Sequence, residues 1–484
     1  MIVIVGGGSA GCVLARRLAE RGREVLLLEA GPDLRDATPA DLRDGWTLPT
    51  PPDWGFASEP DATATTSKLR RGRLLGGTSW LTRFAVRGAA ADFDAWAVRC
   101  GPEWSFESVL PAFRRLESDA EFGREPWHGD AGPLPVTRYP GFARSAVHLA
   151  ATEALVAMGF ATVADHNAPN AVGVGPMPMS SRDGVRVTSV DGWLPPDVAV
   201  PGLVVRADAP VANIVVSGAR ATGVRLVDGS VIAADEAVLC AGTYGSPAIL
   251  LRSGIGPAGD LATLRIPVAM DLPGVGANLA DHPGVDLDSG WRGAGVAGAP
   301  VRHSIATWRS SAAASAAPDL MFWSTDPEGD DGAFYVDPIL LQSRSRGSVR
   351  LRSADPEAPP RITLPGLREA VDVDRLVEGV ERGLELANRP ELRRLSAGEP
   401  ATDPGTFEAR RRYVIDNAYS IPHVVGTCRM GPSPAEGDVV DRAGRVHGVE
   451  GLRVVDASII PEPPSGFPHV ITLMLAEHLA ANWS

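Results

Sequence analysis

A glycine-rich turn at residues 6–11, between an apolar strand and a helix, is the strongest structural signal in this chain. The run Ile2-Val-Ile-Val5 is continuously β-branched, as in a strand buried on both faces, and Gly6-Gly-Gly-Ser-Ala-Gly11 follows it at once. Helical spacing predicts a helix over Cys12–Arg21, and the apolar run Val25–Leu28 predicts a second buried strand that ends at Glu29. This order of elements predicts a βαβ unit.

The turn has the spacing G-x-G-x-x-G, and each glycine has a separate physical role. Gly6 makes the tight turn, Gly8 lets the backbone approach a pyrophosphate, and Gly11 lets the helix pack closely on the strand. The helix N-terminus offers N–H groups and a positive dipole end to an anion. Glu29 can accept hydrogen bonds from ribose hydroxyls and would repel the 2′-phosphate of NADP. The motif therefore predicts a Rossmann-like dinucleotide site and leaves FAD and NAD open.

Length, charge and cysteine content exclude several classes of protein. The 484 residues are enough for two or three domains, and the net charge of −13 argues against nucleic acid as a partner. The four cysteines form no CxxC pair, which argues against a zinc knuckle or a disulfide framework, and we expect no metal site. Without a basic leader or a run of about 18 apolar residues, we expect a cytoplasmic protein with no integral membrane segment.

Further elements are predicted along the rest of the chain. Alternating apolar and polar residues from Leu203 to Gly242 predict a small antiparallel unit, and Ala237–Ala241 within this stretch predicts a buried strand. Helical spacing recurs over Val371–Asn388, and the chain closes with a strand, Leu452–Asp456, and a helix, Val470–Ala481. A nucleotide fold assembled from separated pieces, with a second domain interleaved, accounts for this order.

Several motifs in this order resemble the glucose–methanol–choline (GMC) family of flavoprotein oxidoreductases. Beside the glycine turn and Glu29, the resemblance rests on segments spread over almost the whole chain, namely Arg71–Ser79, Gly242–Gly256, Asp271–His282, His423–Gly431, Gly451–Ser458 and Pro464–His469. Several separated motifs in the right order are much more specific than any one of them.

The resemblance implies an α/β fold, α+β overall, with a Rossmann-like FAD-binding domain built from discontinuous segments. We assign residues 1–140, 200–285 and 436–484 to that domain. The interleaved residues 141–199 and 286–435 form a substrate-binding domain with a six-stranded antiparallel sheet. The residues that the resemblance places at the cofactor are Gly6, Gly8, Ser9, Ala10, Gly11, Glu29, Ala30, Arg73, Gly76, Gly77, Thr78, Val211, Ala241, Asp456, Ala457, His469 and Val470.

The resemblance also implies oxidation of a small-molecule alcohol to a carbonyl compound by hydride transfer to flavin N5. Such chemistry needs a base for the hydroxyl proton, and histidine suits that role near neutral pH. His423 and His469 stand at the two catalytic positions of the family. We expect His423 to act as the base and His469 to orient the substrate oxygen, with the two histidines titrating as a coupled pair. The electron acceptor, oxygen or a quinone or protein carrier, stays open.

Other functions remain possible at this stage. A hydroxynitrile-lyase-like enzyme would use the same fold with a non-redox FAD. An NAD-dependent dehydrogenase or a nonenzymatic nucleotide-binding module would explain the first 30 residues but not the motifs of the two histidines. The identity of the alcohol is open as well.

The chain departs from the family pattern at one segment near the flavin. Where relatives often carry Asn-Gly, this sequence has Trp80-Leu-Thr-Arg83. Some members attach FAD covalently through a histidine in this segment, but the nearest one here is His128, so we expect a non-covalent cofactor. The remaining histidines are expected to be structural, surface or packing residues, namely His128, His148, His166, His282, His303, His447 and His478, and Cys428 is expected to lie in a packed strand.

Overall fold

The computed structural model describes all of residues 1–484 except 61–65, 141–143, 295, 297–301 and 326–331, and except the side chains of Ser324 and Thr325. Two sheets organise the described residues, one parallel and one antiparallel, and a large cavity is lined by residues from both. The fold is therefore α/β, with an antiparallel second layer.

The parallel sheet has five strands, in the spatial order Leu203–Arg206, Val25–Leu28, Ile2–Val5, Glu236–Leu239 and Leu452–Val454. Its central strands are apolar because both faces are covered. The strand at residue 2 pairs with the strand at residue 236, which in turn pairs with the strand at residue 452. The nucleotide fold is thus assembled from segments far apart in sequence, as predicted.

One predicted unit is wrong in part. Leu203–Arg206 does not belong to the antiparallel unit but pairs in parallel with Val25–Leu28 at the edge of the main sheet. The alternation of its exposed and half-buried residues is that of an edge strand. The antiparallel unit is confined to three strands, Val211–Ser217, Arg220–Leu226 and Val231–Ala233.

Three helices begin at the cavity and run away from it. They span Ser9–Glu20, Gly242–Arg252 and Pro468–Ala481, close to the bounds predicted from the sequence. The first and last of these pack side by side, where Arg17 Nε donates to the carboxylate of buried Glu477 at 2.9 and 3.0 Å. This packing aligns the N-termini of the two helices, at Ser9 and His469.

The antiparallel sheet has seven strands in the described residues, one more than the resemblance implies. Six lie in the order Tyr419–Ser420, Pro283–Gly284, Ala333–Leu340, Leu320–Thr325, Ser304–Trp308 and Val174–Pro176, and Leu287–Arg292 also pairs with Ala333–Leu340. Along one strand, Leu320 and Phe322 pack in one apolar cluster with helix Ala370–Ala387, while Met321 and Trp323 belong to another cluster. The second face, which carries Trp323, is the one that reaches the cavity. The domain boundaries given above stay a prediction.

The other elements are short. Further helices span Ala40–Arg43, Ala90–Cys100, Phe106–Leu116, Ala146–Ala157, Ser189–Trp193, Ala258–Thr263, Pro390–Arg393 and Phe407–Asn417. Short 3₁₀ helices span Arg35–Ala37, Gly77–Leu81, Pro102–Trp104, Pro434–Glu436 and Ala457–Ile459. Paired short strands are Phe56–Ala57 with Lys68–Leu69, Glu117–Asp119 with Leu134–Val136, Ser181–Arg182 with Val185–Arg186, Ile255–Gly256 with Met270–Asp271, and Ser348–Arg350 with Arg361–Thr363. No helix among the described residues combines the length and apolar character needed to cross a bilayer.

Candidate active site

A cavity of about 640 Å³ contains most of the residues singled out from the sequence. It is lined by both histidines of the predicted catalytic pair, His423 and His469. The predicted cofactor residues that line it with them are Gly6, Gly8, Ser9, Ala10, Glu29, Ala30, Gly77, Thr78, Val211, Ala241, Asp456 and Ala457. Four other predicted residues do not line it, namely Gly11, Arg73, Gly76 and Val470.

The glycine turn has the geometry that its spacing predicts. Gly6 has a φ of +103°, and a Cβ there would lie 2.5 Å from the carbonyl oxygen of Cys240. A Cβ on Gly11 would lie 1.9 Å from the carbonyl oxygen of Gly6, so that only glycine permits this close packing of helix on turn. At Gly8, in contrast, a Cβ would have no atom of the described residues within 4 Å. The space above Gly8 is therefore open toward the cavity.

Glu29, which follows the strand Val25–Leu28, lies against one side of the glycine turn. Its carboxylate is buried and accepts hydrogen bonds from the backbone N–H groups of Gly7, at 2.8 Å, and Gly31, at 2.9 Å. Burial raises the pKa of this carboxyl to about 7, while the two amides and the charge of Arg73 favour the ionised form. Arg73 therefore acts on the cavity through Glu29 and not by lining it.

A second turn, at residues 76–78, lies directly on the first. The N–H of Gly76 donates to the carbonyl oxygen of Gly7 at 2.7 Å, and a Cβ on Gly77 would lie 2.9 Å from the Cα of Gly8. The segment that departs from the family pattern follows this turn, and Leu81, Thr82 and Arg83 all line the cavity.

The carboxylate of Asp456 accepts three hydrogen bonds from the protein. One oxygen accepts from the N–H of Gly242 at 2.8 Å and from the hydroxyl of Ser246 at 2.6 Å, and the other accepts from the N–H of Ser458 at 2.8 Å. These bonds join the last strand of the parallel sheet to the start of helix Gly242–Arg252. Burial raises the pKa of Asp456.

His469 stands at the N-terminus of the last helix and is bonded to the first. Its Nδ1 lies 3.0 Å from the hydroxyl oxygen of Ser9, while its Nε2 is buried and has no hydrogen-bond partner in the part of the chain that the structure describes. Burial lowers the pKa of His469 to about 4, so that the ring is neutral at physiological pH. An unpartnered buried ring nitrogen facing a cavity is suited to bind a polar group there.

His423 is not bonded to His469 but to a third histidine. Its Nδ1 lies 3.1 Å from Nδ1 of His282, and the planes of the two rings are nearly perpendicular. Burial, His282 and the charge of Arg71 together hold the pKa of His423 well below its ordinary value. Burial alone lowers the pKa of His469, whereas the neighbouring His282 contributes to the lowered pKa of His423. The coupled titration of His423 and His469 stays a prediction.

Asp281, the residue before His282, joins the backbones of the two bonded histidines. One of its carboxylate oxygens accepts from the N–H of His282 at 2.8 Å and from the N–H of His423 at 2.7 Å. The other oxygen accepts from the hydroxyl of Ser420. This carboxylate therefore fixes the separation of two histidines that are 141 residues apart in sequence.

An aromatic wall, formed by Phe84, Trp323 and Phe467, covers the part of the cavity next to His423. The ring of Phe467 lies 4.7 Å from that of His423 between centroids, and the ring of Trp323 lies 6.3 Å from it. The guanidinium of Arg302 lies over the Trp323 ring, at 4.7 Å from the centroid. None of these three rings is among the site residues predicted from the sequence. Phe467 lies between two recognised motif residues and could have been found, whereas nothing in the sequence around Trp323 marks it.

Outside the cavity, one group of described titratable residues lies close enough together to hold a metal ion, namely Glu117, Asp119 and His128. His128 is buried with both ring nitrogens near carboxylates, those of Glu117 at 2.7 Å and Asp165 at 2.9 Å. Its neighbours Glu117 and Asp119 could form a metal cluster with it, but Arg87 and Arg138 already pair with these carboxylates. All four cysteines are buried and unpaired, and burial raises the pKa of Cys428 well above its ordinary value, which makes it a poor nucleophile.

The parallel sheet with its glycine turn and the two imidazoles in one cavity are the arrangement expected of a dinucleotide-binding enzyme. The chain belongs to the GMC oxidoreductase family, because two family models with that description match residues 1–284 and 343–476. FAD, held without a covalent bond, is its cofactor.

The chain is similar to several known members along almost its whole length. It is 35% identical to 5-(hydroxymethyl)furfural oxidase of Methylovorus sp. (strain MP688), over 99% of this chain and 97% of the relative. It is 33% identical to oxygen-dependent choline dehydrogenase of Escherichia coli O139:H28, over 99% of this chain and 94% of the relative. The crystal structure of pyridoxine 4-oxidase from Mesorbium loti superposes with a TM-score of 0.89 at 31% identity, covering 100% of this chain and 98% of that one.

The residues around the glycine turn fit FAD. The open space at Gly8 is a cradle that a side chain would fill, and the N-termini of three helices line the same cavity. Helix N-termini of this kind bind phosphate. Glu29 keeps acceptor capacity beyond the two backbone amides, since each carboxylate oxygen has two lone pairs.

Replacing Glu29 by glutamine should weaken FAD binding about tenfold without slowing the chemistry of enzyme that is loaded with FAD. An amide keeps the size of the side chain but offers one acceptor oxygen in place of two, which leaves a backbone N–H or a ribose hydroxyl unpaired. Titration of the apoprotein with FAD measures this affinity. Equal dissociation constants for the variant and the parent would contradict the role assigned to Glu29.

Proposed function

We propose that this enzyme oxidises an alcohol to a carbonyl compound, with His423 as the general base and His469 as a hydrogen-bonding partner of the same substrate oxygen. The observation that carries the proposal is that both imidazoles line one cavity with the glycine turn. A neutral His423 can take the hydroxyl proton as the alcohol is oxidised. His469, with a buried Nε2 that no described protein group satisfies, can hold the oxygen in place.

We propose that separate segments of the chain bind different parts of FAD. Gly6 and Gly8, with the N–H groups at Ser9 and Ala10, would hold the pyrophosphate, and Glu29 would hold the adenosine ribose. Gly11 would contribute by letting the helix pack closely on this turn. Proposed contacts elsewhere along FAD are Ala30, Gly77, Thr78, Val211, Ala241, Asp456, Ala457 and His469. Gly76, Val470 and Arg73 do not line the cavity and would act only through their neighbours. Bound FAD supplies the hydride acceptor, at N5.

The aromatic wall favours an alcohol whose carbinol carbon is attached to a flat ring. Such a ring can pack against this wall, in which Trp323 and Phe467 stack on each other at 5.4 Å between centroids with an inclination of 27°. Aromatic walls also bind quaternary ammonium groups, such as that of choline. Here a guanidinium, that of Arg302, already occupies the position over the Trp323 ring that a cationic substrate would take. We therefore propose uncharged ring-bearing alcohols as substrates.

Anaerobic reduction of the bound flavin tests the proposed reaction. Ring-bearing and aliphatic alcohols of similar size are added to the purified holoenzyme without oxygen, and the flavin absorbance is followed. We expect bleaching, and it should be faster with the ring-bearing alcohols. A flavin that no alcohol bleaches would contradict the proposal and favour a lyase with a non-redox FAD. Repeating the turnover with oxygen and with an artificial acceptor dye identifies the electron acceptor.

The pH dependence of flavin reduction should reflect the lowered pKa of His423. A base with a depressed pKa stays unprotonated as the pH falls below 6.5, the ordinary value for imidazole, and loses its function only when the pH falls through its own lower pKa. We therefore expect kcat/KM to be flat from about pH 7.5 down past 6.5. A protonation step centred at or above pH 6.5 in the anaerobic rates would contradict this prediction.

A further inference from the structure

His282 is a buried histidine that touches the proposed base but not the cavity. Its side chain is fully buried and is absent from the cavity lining. Its two ring nitrogens make two different bonds. Nε2 lies 3.0 Å from the carbonyl oxygen of Pro464, and Nδ1 lies 3.1 Å from Nδ1 of His423.

These two contacts determine where the ring protons are. A carbonyl oxygen can only accept a hydrogen bond, so Nε2 of His282 carries a proton and donates it to Pro464. Burial lowers the pKa of His282 to about 4, so the neutral ring has no second proton and its Nδ1 offers a lone pair. The facing Nδ1 of His423 is then the donor. The neutral ring of His423 therefore has its own lone pair on Nε2.

We propose that His282 is a positioning residue that holds His423 as the Nδ1–H tautomer and thereby makes Nε2 the basic nitrogen. This inference rests on the proposed function, in which His423 takes the hydroxyl proton. The substrate O–H bond breaks and an N–H bond forms at Nε2, while the proton on Nδ1 of His423 stays directed at His282. The carboxylate of Asp281 accepts hydrogen bonds from the backbone N–H groups of both histidines and so holds their backbones at a fixed separation.

A pair of variants separates the tautomer role from a packing role. His282→Leu fills the space but removes the acceptor, whereas the amide oxygen of His282→Asn can replace Nδ1 as acceptor. In the holoenzyme we expect His282→Leu to lower kcat/KM roughly 10- to 100-fold, the effect typical of a partner that fixes a functional histidine. The loss in His282→Leu should appear in kcat and not in KM, because His282 does not line the cavity. The variant His282→Asn should recover most of the lost kcat.

His478→Leu is a matched control. His478 is also a buried histidine with a pKa lowered by burial, but it packs against Trp104 outside the cavity. We expect this variant to keep the kcat/KM of the parent. FAD content and thermal unfolding of all variants show which of them fold. Equal kcat/KM in folded His282→Leu and the parent would overturn the proposal.

Nitrogen NMR of the holoenzyme with ¹⁵N-labelled histidine tests the tautomer without using activity. Signals of His423 are identified by their loss in His423→Asn. In the parent protein we expect a protonated Nδ1 and an unprotonated Nε2 for His423, and in folded His282→Leu a mixture of both tautomers. A proton on Nε2 of His423 in the parent would overturn the proposal even if His282→Leu fails to fold. If His423→Ala reduces its flavin as fast as the parent while the NMR pattern is as predicted, the proposed function is overturned and the tautomer assignment is kept.

Discussion

Replacing His423 by alanine should lower kcat/KM for alcohol oxidation by roughly 10²- to 10⁴-fold, the range expected for removal of a general base. The substrate hydroxyl then has no basic nitrogen to receive its proton. We do not expect His469 to replace His423 as base, because among the described residues His469 bonds to Ser9 and not to His282. Stopped-flow anaerobic reduction of the flavin isolates this step from the later reaction with the acceptor.

Cofactor binding separates a chemical effect of this variant from a structural one. The flavin absorbance of purified His423→Ala should match that of the parent, since none of the proposed contacts to the pyrophosphate or the ribose involves His423. His447→Ala is the matched control. His447 is partly exposed, lies 3.0 Å by its Nε2 from the carbonyl oxygen of Gly431, and does not line the cavity. Unchanged reduction rates in His423→Ala would remove it from the role of base.

Replacing Gly8 by valine should weaken FAD binding by roughly 10- to 100-fold while the protein still folds. Gly8 has a φ of −82°, which any residue adopts, and a Cβ there would meet no described atom within 4 Å. The added side chain therefore meets only the space that the cofactor needs. Overfilling a packed site by a few methyl groups costs about 1–3 kcal/mol, which corresponds to this loss of affinity.

Gly259→Val is the control for the effect of valine at an unhindered glycine. Gly259 lies in helix Ala258–Thr263, away from the cavity, and a Cβ there would likewise have no described atom within 4 Å. Titration of both apoproteins with FAD, with thermal unfolding measured in parallel, gives the comparison. If Gly8→Val binds FAD as tightly as Gly259→Val, the pyrophosphate does not lie on this turn.

The glycine turn could be predicted from the sequence almost in full, because its geometry depends on local sterics. Gly6 requires a positive φ, and Gly11 must lack a Cβ where the helix meets the carbonyl oxygen of Gly6. Such constraints act within a few residues, so the spacing of the glycines is enough to predict them. The buried strands and the last helix follow for a similar reason, since their apolar periodicity is local.

The sequence could not predict which segments far apart in the chain come into contact. Leu203–Arg206 alternates like a strand of an antiparallel unit, but the free edge of the parallel sheet beside Val25–Leu28 decides its partner. His282 resembles a structural histidine until its segment is packed against His423, 141 residues away. Trp323 reaches the cavity only because the register of the antiparallel sheet turns its face that way.

Local features of the chain were therefore enough to predict the nucleotide-binding turn, the acidic residue beside it, the family and the two histidines that line the cavity. Long-range packing decides which group His423 contacts through Nδ1, which aromatic rings face it and which hydrogen bonds Asp456 accepts. The two groups of properties differ in how far apart in sequence the interacting residues are. Backbone sterics and apolar periodicity act between near neighbours in sequence, whereas a proton's position on an imidazole depends on whichever group lies about 3 Å away after folding.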